Sequence, residues 1–156
     1  EAAPNRNAIF QPVSVFDTLE KKRNGYTYLK CNIRSFAPKQ SALLDSAYLN
    51  LYVQHCEADA VVEVYSVQRD WCSWTLSWNT RPLHSDKLGE FTVRDAGWYT
   101  IDLTGYVSRL IDQSFYHLEN NSIMLRIQEG CRSRLVLAST DNKLYPPFFE
   151  INYRVR

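Results

Sequence analysis

Seven stretches of this chain alternate apolar and polar residues with a period of two. A period of two belongs to strands, because successive side chains leave a strand on opposite faces. In "YTYLKCNIR", Leu29, Cys31 and Ile33 share one face, and Tyr28, Lys30 and Asn32 take the other. In "SAYLNLYVQ", Ala47, Leu49, Leu51 and Val53 oppose Tyr48, Asn50, Tyr52 and Gln54. "VVEVYSV" contributes Val62 and Val64, and "WYTIDL" contributes Tyr99, Ile101 and Leu103. "SIMLRI" adds Ile123, Leu125 and Ile127, and "RLVLAS" adds Leu135 and Leu137. "FFEINYRV" aligns Phe149, Ile151, Tyr153 and Val155. Strands with one apolar and one wet face predict an all-β protein of two packed antiparallel sheets.

One segment departs from this period. In "DLTGYVSRLIDQS", Leu103, Val107, Leu110 and Ile111 fall at i, i+4, i+7 and i+8, with Thr104 available as N-cap. A single short helix over 104–112 is predicted. Loops are predicted at 54–60, 79–90, 112–121 and 139–147. With no repeat, linker or low-complexity tract, the 156 residues read as a single domain, 1–156.

Chemistry is constrained by what the sequence lacks. Its three histidines, His55, His84 and His117, are scattered without metal-ligand spacing. Nucleophile-elbow, zinc-protease, phosphate-loop and dinucleotide motifs are absent, so no enzyme is predicted. Asp45, Asp70, Asp86, Asp95, Asp102 and Asp141 flank strands and turns, where aspartate is at home. A loop calcium site using one or two of them is the sole metal alternative, and no cofactor is predicted. Cys31, Cys56, Cys72 and Cys131 show no CxxC pairing. They read as small buried thiols, Cys31 above all, with a Cys56–Cys72 crosslink as the alternative.

A formal net charge of +1 argues against nucleic acid. The basic excess lies in residues 122–156, where Arg126, Arg132, Arg134, Lys143, Arg154 and Arg156 meet only Glu129, Asp141 and Glu150. No apolar run approaches the ~20 residues of a membrane-spanning helix, so membrane insertion is not expected. The opening "EAAPNRN" carries no initiator methionine and reads as the start of a processed or excised segment. "NNS" at 120–122 is a glycosylation triplet in a eukaryotic secretory setting.

The stretch "RDWCSWTLSWNTRP", residues 69–82, concentrates three tryptophans before Asn-x-x-Pro. With "RNGYTYLKCNIRSFAPKQSALLDSAYLNLYV", "VEVYSVQRDWCSWTLSWNTRP", "GWYTIDLTGYVSRLI", "NNSIMLRI" and "ASTDNKLYPPFFEINY" in that order, the chain resembles the DNRLRE family of extracellular β-sandwich domains over residues 22–153. The resemblance implies a jelly-roll sandwich and a non-catalytic role in microbial secreted or cell-surface proteins. One branch of that family is similar to modules that recognise alginate. The resemblance assigns Trp71, Trp78, Asn79 and Pro82 to a structural motif, and leaves Trp74, at a variable position, as an exposed ligand candidate. Cys31 stands where the family has Phe, and Asn32 where it has Asp. "PNRNAIFQPVSVFD" begins where the family's first strand ends, so that strand is expected upstream of residue 4 or from a partner chain.

By parity, Tyr26, Tyr28, Tyr48 and Tyr52 are expected on exposed faces of two consecutive strands, suited to sugar stacking or a protein seam unless another layer covers them. Arg81, Arg126, Arg132 and Arg134 are the candidates for an acidic polysaccharide, since a guanidinium fork matches a carboxylate. The favoured reading is a non-catalytic extracellular or cell-surface carbohydrate-binding or adhesive module, within a larger multidomain parent chain. The alternative is a structural subunit of an extracellular fibre or surface assembly, a homo-polymer in which a neighbour's strand completes each sandwich.

Overall fold

A computed structural model describes residues 13–14, 18–20, 26–31, 42–67, 76, 79–113, 122–139 and 142–155. In chain order the elements are β1 (Val13–Ser14), β2 (Thr18–Glu20), β3 (Thr27–Cys31), β4 (Ala42–Cys56), β5 (Ala60–Val67), β6 (His84–Val93), β7 (Gly97–Asp102), α1 (Thr104–Gln113), β8 (Ser122–Ile127), β9 (Arg134–Leu137) and β10 (Phe148–Val155). They form two antiparallel sheets. One runs β1-β3-β8-β5-β6; the other runs β10-β4-β9-β2, with β7 also paired to β4.

The apolar parities of both sheets meet in a single core. Leu29, Ile123, Leu125, Val62 and Val64 enter it from one side, and Leu49, Leu51, Leu135, Leu137, Phe149 and Ile151 from the other. Each fully buried aliphatic or aromatic side chain is worth about 1.5–3 kcal/mol of transfer free energy. The all-β sandwich with one short helix is therefore the architecture, held by the residues whose alternation predicted it.

The helix starts as expected but is capped differently. Asp102 Oδ1 accepts the Thr104 N–H at 2.9 Å and the Thr104 hydroxyl at 2.6 Å, so Asp102 rather than Thr104 supplies the capping oxygen. The Thr104 hydroxyl oxygen instead accepts the Ala47 N–H at 3.0 Å. Leu103 N–H donates to the Ala47 carbonyl at 2.9 Å, so both bonds fasten the helix start to β4.

Two predicted loops are largely strand. β6 fills much of 79–90. Its polar residues Ser85, Asp86, Lys87 and Glu90 are exposed, and its register against β5 shifts on either side of Tyr65. A bulged strand at the sheet's edge carries no regular alternation, so its sequence resembles a loop. The 54–60 loop shrinks because β4 continues to Cys56, where β9 pairs with it through Cys56↔Leu135.

Cys56 and Cys131 are free, half-buried thiols packed against the core. The Cys56–Cys72 crosslink is therefore not made, and the Cys56 thiol instead donates to the Ala58 carbonyl at 3.1 Å. The side chain of Cys31, and Cys72 altogether, lie outside the described residues.

Candidate functional site

The central strands β5 and β8 of the first sheet bury both faces, and the sheet's outer face holds a cluster of polar and aromatic side chains. With Val62 and Val64 in the core, β5 turns Glu63, Tyr65 and Val67 outward; β8 likewise turns out Met124 and Arg126. Register then sets Glu63 between Arg126 and Glu90, and Tyr65 between Met124 and Lys87. The pleat thus lines up a carboxylate, two cations and a phenol without any loop.

Glu63 is the hub. Only 6% exposed, its carboxylate accepts Arg126 Nε at 3.1 Å and the Tyr65 hydroxyl at 3.2 Å. Lys87 Nζ stands 3.1 Å from the second carboxylate oxygen and 2.8 Å from Glu90. Burial pushes the Glu63 carboxyl up, yet the hydrogen bonds from Lys87, Arg126 and Tyr65 outweigh it and hold the group below its ordinary value. A buried carboxylate without such partners would be strongly destabilising.

Aromatic rings extend the cluster. The His84 ring centroid lies 4.8 Å from that of Tyr65 and 6.4 Å from that of Tyr26. The Arg81 guanidinium sits over the Tyr26 ring at 5.8 Å. Burial first, and then the charge of Arg126, hold His84 below its ordinary value, which favours neutral imidazole at pH 7. Beneath these groups Tyr28, Tyr65, Val67 and Met124 form a second apolar cluster, with Leu76 of the tryptophan stretch packed against it. The Tyr28 hydroxyl donates to the Pro82 carbonyl at 3.3 Å, which ties the end of that stretch onto β3.

The structure brings together only part of the predicted set. Tyr26, Arg81 and Arg126 converge on this face. Tyr28 has the expected parity but is covered at 3% exposure, because Tyr65, Val67 and Met124 pack around it. Tyr48 and Tyr52 do not join them, since β4 belongs to the other sheet. β3 and β4, though consecutive, lie in different sheets, so the four tyrosines form two groups on opposite faces. Arg132 is exposed in the turn before β9, and Arg134 is exposed on β9 itself. Arg154 pairs with Asp45 at 2.9 Å, so the basic third does not gather into one patch among the described residues. Asn79 is exposed and Pro82 buried, whereas Trp71, Trp74 and Trp78 lie outside the described residues.

Glu63, Tyr65, His84 and Lys87 were not candidates on sequence grounds. The outward parity of "VVEVYSV" contains the signal for Glu63 and Tyr65. Nothing comparable marks His84 and Lys87, because the bulged edge strand that carries them has no clear period.

Chemically, the face offers the Arg81 guanidinium, the remaining edge of the Arg126 guanidinium, the half-buried ring of Tyr26 and a neutral His84 imidazole, with Tyr65 buried beneath Arg126 and His84. Rings suit the C–H faces of sugars, and guanidinium groups suit hydroxyls and carboxylates. No helix among the described residues is long and apolar enough to cross a membrane. Among curated proteins none matches this chain. The profile of carbohydrate-binding module family 96 matches residues 12–151, spanning both sheets and every residue of the cluster just described. The chain belongs to carbohydrate-binding module family 96.

Proposed function

We propose that the protein is a non-catalytic binding module for an acidic polysaccharide, held across the face formed by Tyr26, Arg81, His84 and Arg126, with Tyr65 buried beneath as their support. The observation that carries this reading is the convergence of Arg81 and Arg126 on aromatic rings, with Arg81 5.8 Å from the Tyr26 centroid and Arg126 4.7 Å from that of Tyr65. Family membership supports a carbohydrate partner. The resemblance of the tryptophan stretch to DNRLRE-type domains favours a uronic-acid polymer such as alginate. In this reading the module works outside the cell or at its surface, and binding invokes no cofactor.

Affinity electrophoresis in gels containing alginate or polygalacturonate tests the reading. The expected result is retardation at low salt that weakens as salt rises, because exposed charge contacts are screened. The Tyr26→Ala, Arg81→Ala double variant should migrate freely. Absence of retardation on every acidic polymer, or equal retardation of the double variant, would overturn the proposal.

A further inference from the structure

We infer that the outer face of the other sheet carries a second, independent site, which takes an uncharged pyranose glycan on a platform built by Tyr52, Trp98, Tyr145 and Phe148. Leu49, Leu51 and Val53 enter the core, so β4 turns Tyr48, Asn50 and Tyr52 outward. Register sets Tyr52 opposite Trp98 on β7, and Asn50 between Thr100 on β7 and Phe148 on β10. Tyr145, in the segment before β10, stacks on Tyr52 with centroids 4.1 Å apart and planes 12° from parallel. Trp98 stands edge-on to Tyr52 at 5.3 Å, to Phe148 at 5.5 Å and to Tyr145 at 6.2 Å.

These rings hold one another in place, yet Trp98 remains 44% and Tyr145 38% exposed. Preorganised rings lose little entropy when a ligand settles on them. A contiguous exposed aromatic patch is also far less common than scattered apolar side chains.

The polar chemistry decides what settles there. Asn50 is only 9% exposed; its Oδ1 accepts the Thr100 hydroxyl at 2.7 Å, but its Nδ2 has no hydrogen-bond partner. An unpaired buried amide is a standing cost, and because this nitrogen is closed to solvent, a ligand acceptor relieves it only where the side chains over it shift aside. A pyranose offers both needed features, a flat C–H face for the rings and hydroxyls that accept from an amide. Charge selects the neutral kind. The register neighbours of Tyr48 on this face are Asp102 and Glu150, which repel a carboxylated sugar, and Arg154 is paired with Asp45. The two faces of the sandwich thus differ in the sugars they suit. A module with both would bridge two classes of polysaccharide.

Affinity electrophoresis with hydroxyethylcellulose, galactomannan and pullulan, backed by calorimetry with the corresponding oligosaccharides, tests this site. The native protein should be retarded by at least one neutral polymer. Trp98→Ala and Tyr145→Ala should each weaken that binding about tenfold or more with the circular dichroism spectrum unchanged, and Arg81→Ala should leave it intact. Three results would overturn the inference. One is no retardation on any neutral polymer, and another is retardation unaffected by Trp98→Ala and Tyr145→Ala. The third is self-association in sedimentation that Trp98→Ala abolishes, which would assign the face to a second copy of the chain. Loss of acidic-polymer binding through Tyr26 and Arg81 would leave this site standing, so the two proposals fail separately.

Discussion

The guanidinium of Arg126 lies against the ring of Tyr65, its carbon 4.7 Å from the centroid, while its Nη2 donates to the hydroxyl of the same tyrosine at 2.9 Å. Tyr65 is thereby clamped through ring and oxygen at once, and its own proton goes to Glu63 at 3.2 Å. The triangle joins β5 to β8 on the outer face, where sheets usually meet only water.

Removing the hub of that triangle should be costly. Glu63→Ala leaves Arg126 and Lys87 without their buried carboxylate and should destabilise the fold by about 1–3 kcal/mol, read by urea denaturation at pH 7. Glu63→Gln keeps the volume and should cost less.

The same carboxylate sets an acid dependence. Its value in the folded state is lowered, so its contribution is fully present above the ordinary carboxylate value and is lost as pH falls through the folded one. Denaturation midpoints of the native protein should therefore drop as pH falls below the ordinary carboxylate value of about 4.5, and the drop should be shallower in Glu63→Gln. Parallel curves for the two would remove Glu63 as the cause.

Tyr28 sets the alkaline limit. Burial pushes its phenol up to about 12, against an ordinary value of 10, with the charge of Arg81 opposing. The folded state thus favours the neutral phenol, and its contribution is complete below pH 10 and fades as pH rises towards 12. Tyr28→Phe should lose stability less steeply across that range than the native protein does, as measured by denaturation at fixed urea. It also removes the bond to Pro82, a change of about 1 kcal/mol at neutral pH.

His84 should titrate below the usual histidine range. Its folded value is lowered by burial and then by Arg126, so the neutral ring is the stable form in the fold. The stability tied to it is present above about pH 6.5 and is lost as pH falls further. A proton NMR titration should give His84 a midpoint below the ordinary histidine value of about 6.5.

In the core, Phe149→Ala should cost about 3–5 kcal/mol, since the ring is fully buried between the sheets and its loss leaves a cavity. A cost below about 1 kcal/mol, measured by equilibrium unfolding, would show that the site collapses around the smaller side chain.

Local rules in the sequence were enough to identify the sandwich. Ile123, Leu125 and Ile127, or Phe149 and Ile151, announce their inward face by a period of two, because the alternation is a property of the strand itself. The helix after β7 announces itself the same way, through its four-residue spacing. What parity does not contain is which sheet a strand joins. Tyr28 and Tyr48 both point away from the core as their positions in the alternation require, yet they lie on opposite faces of the protein, because β3 pairs with β8 and β4 with β10. Tyr28 is covered, moreover, by side chains from strands far along the chain. The site follows the same logic. Arg126 and Glu63 stand 63 residues apart and meet only because β8 inserts between β3 and β5. Trp98 and Tyr145 became visible only through Tyr52, which β7 and the segment before β10 both approach. Strand periodicity is written between near neighbours in the chain, so the sequence alone determined the faces. Strand pairing is decided by the free energy of packing the whole sandwich, and only the tertiary structure decided which faces became sites.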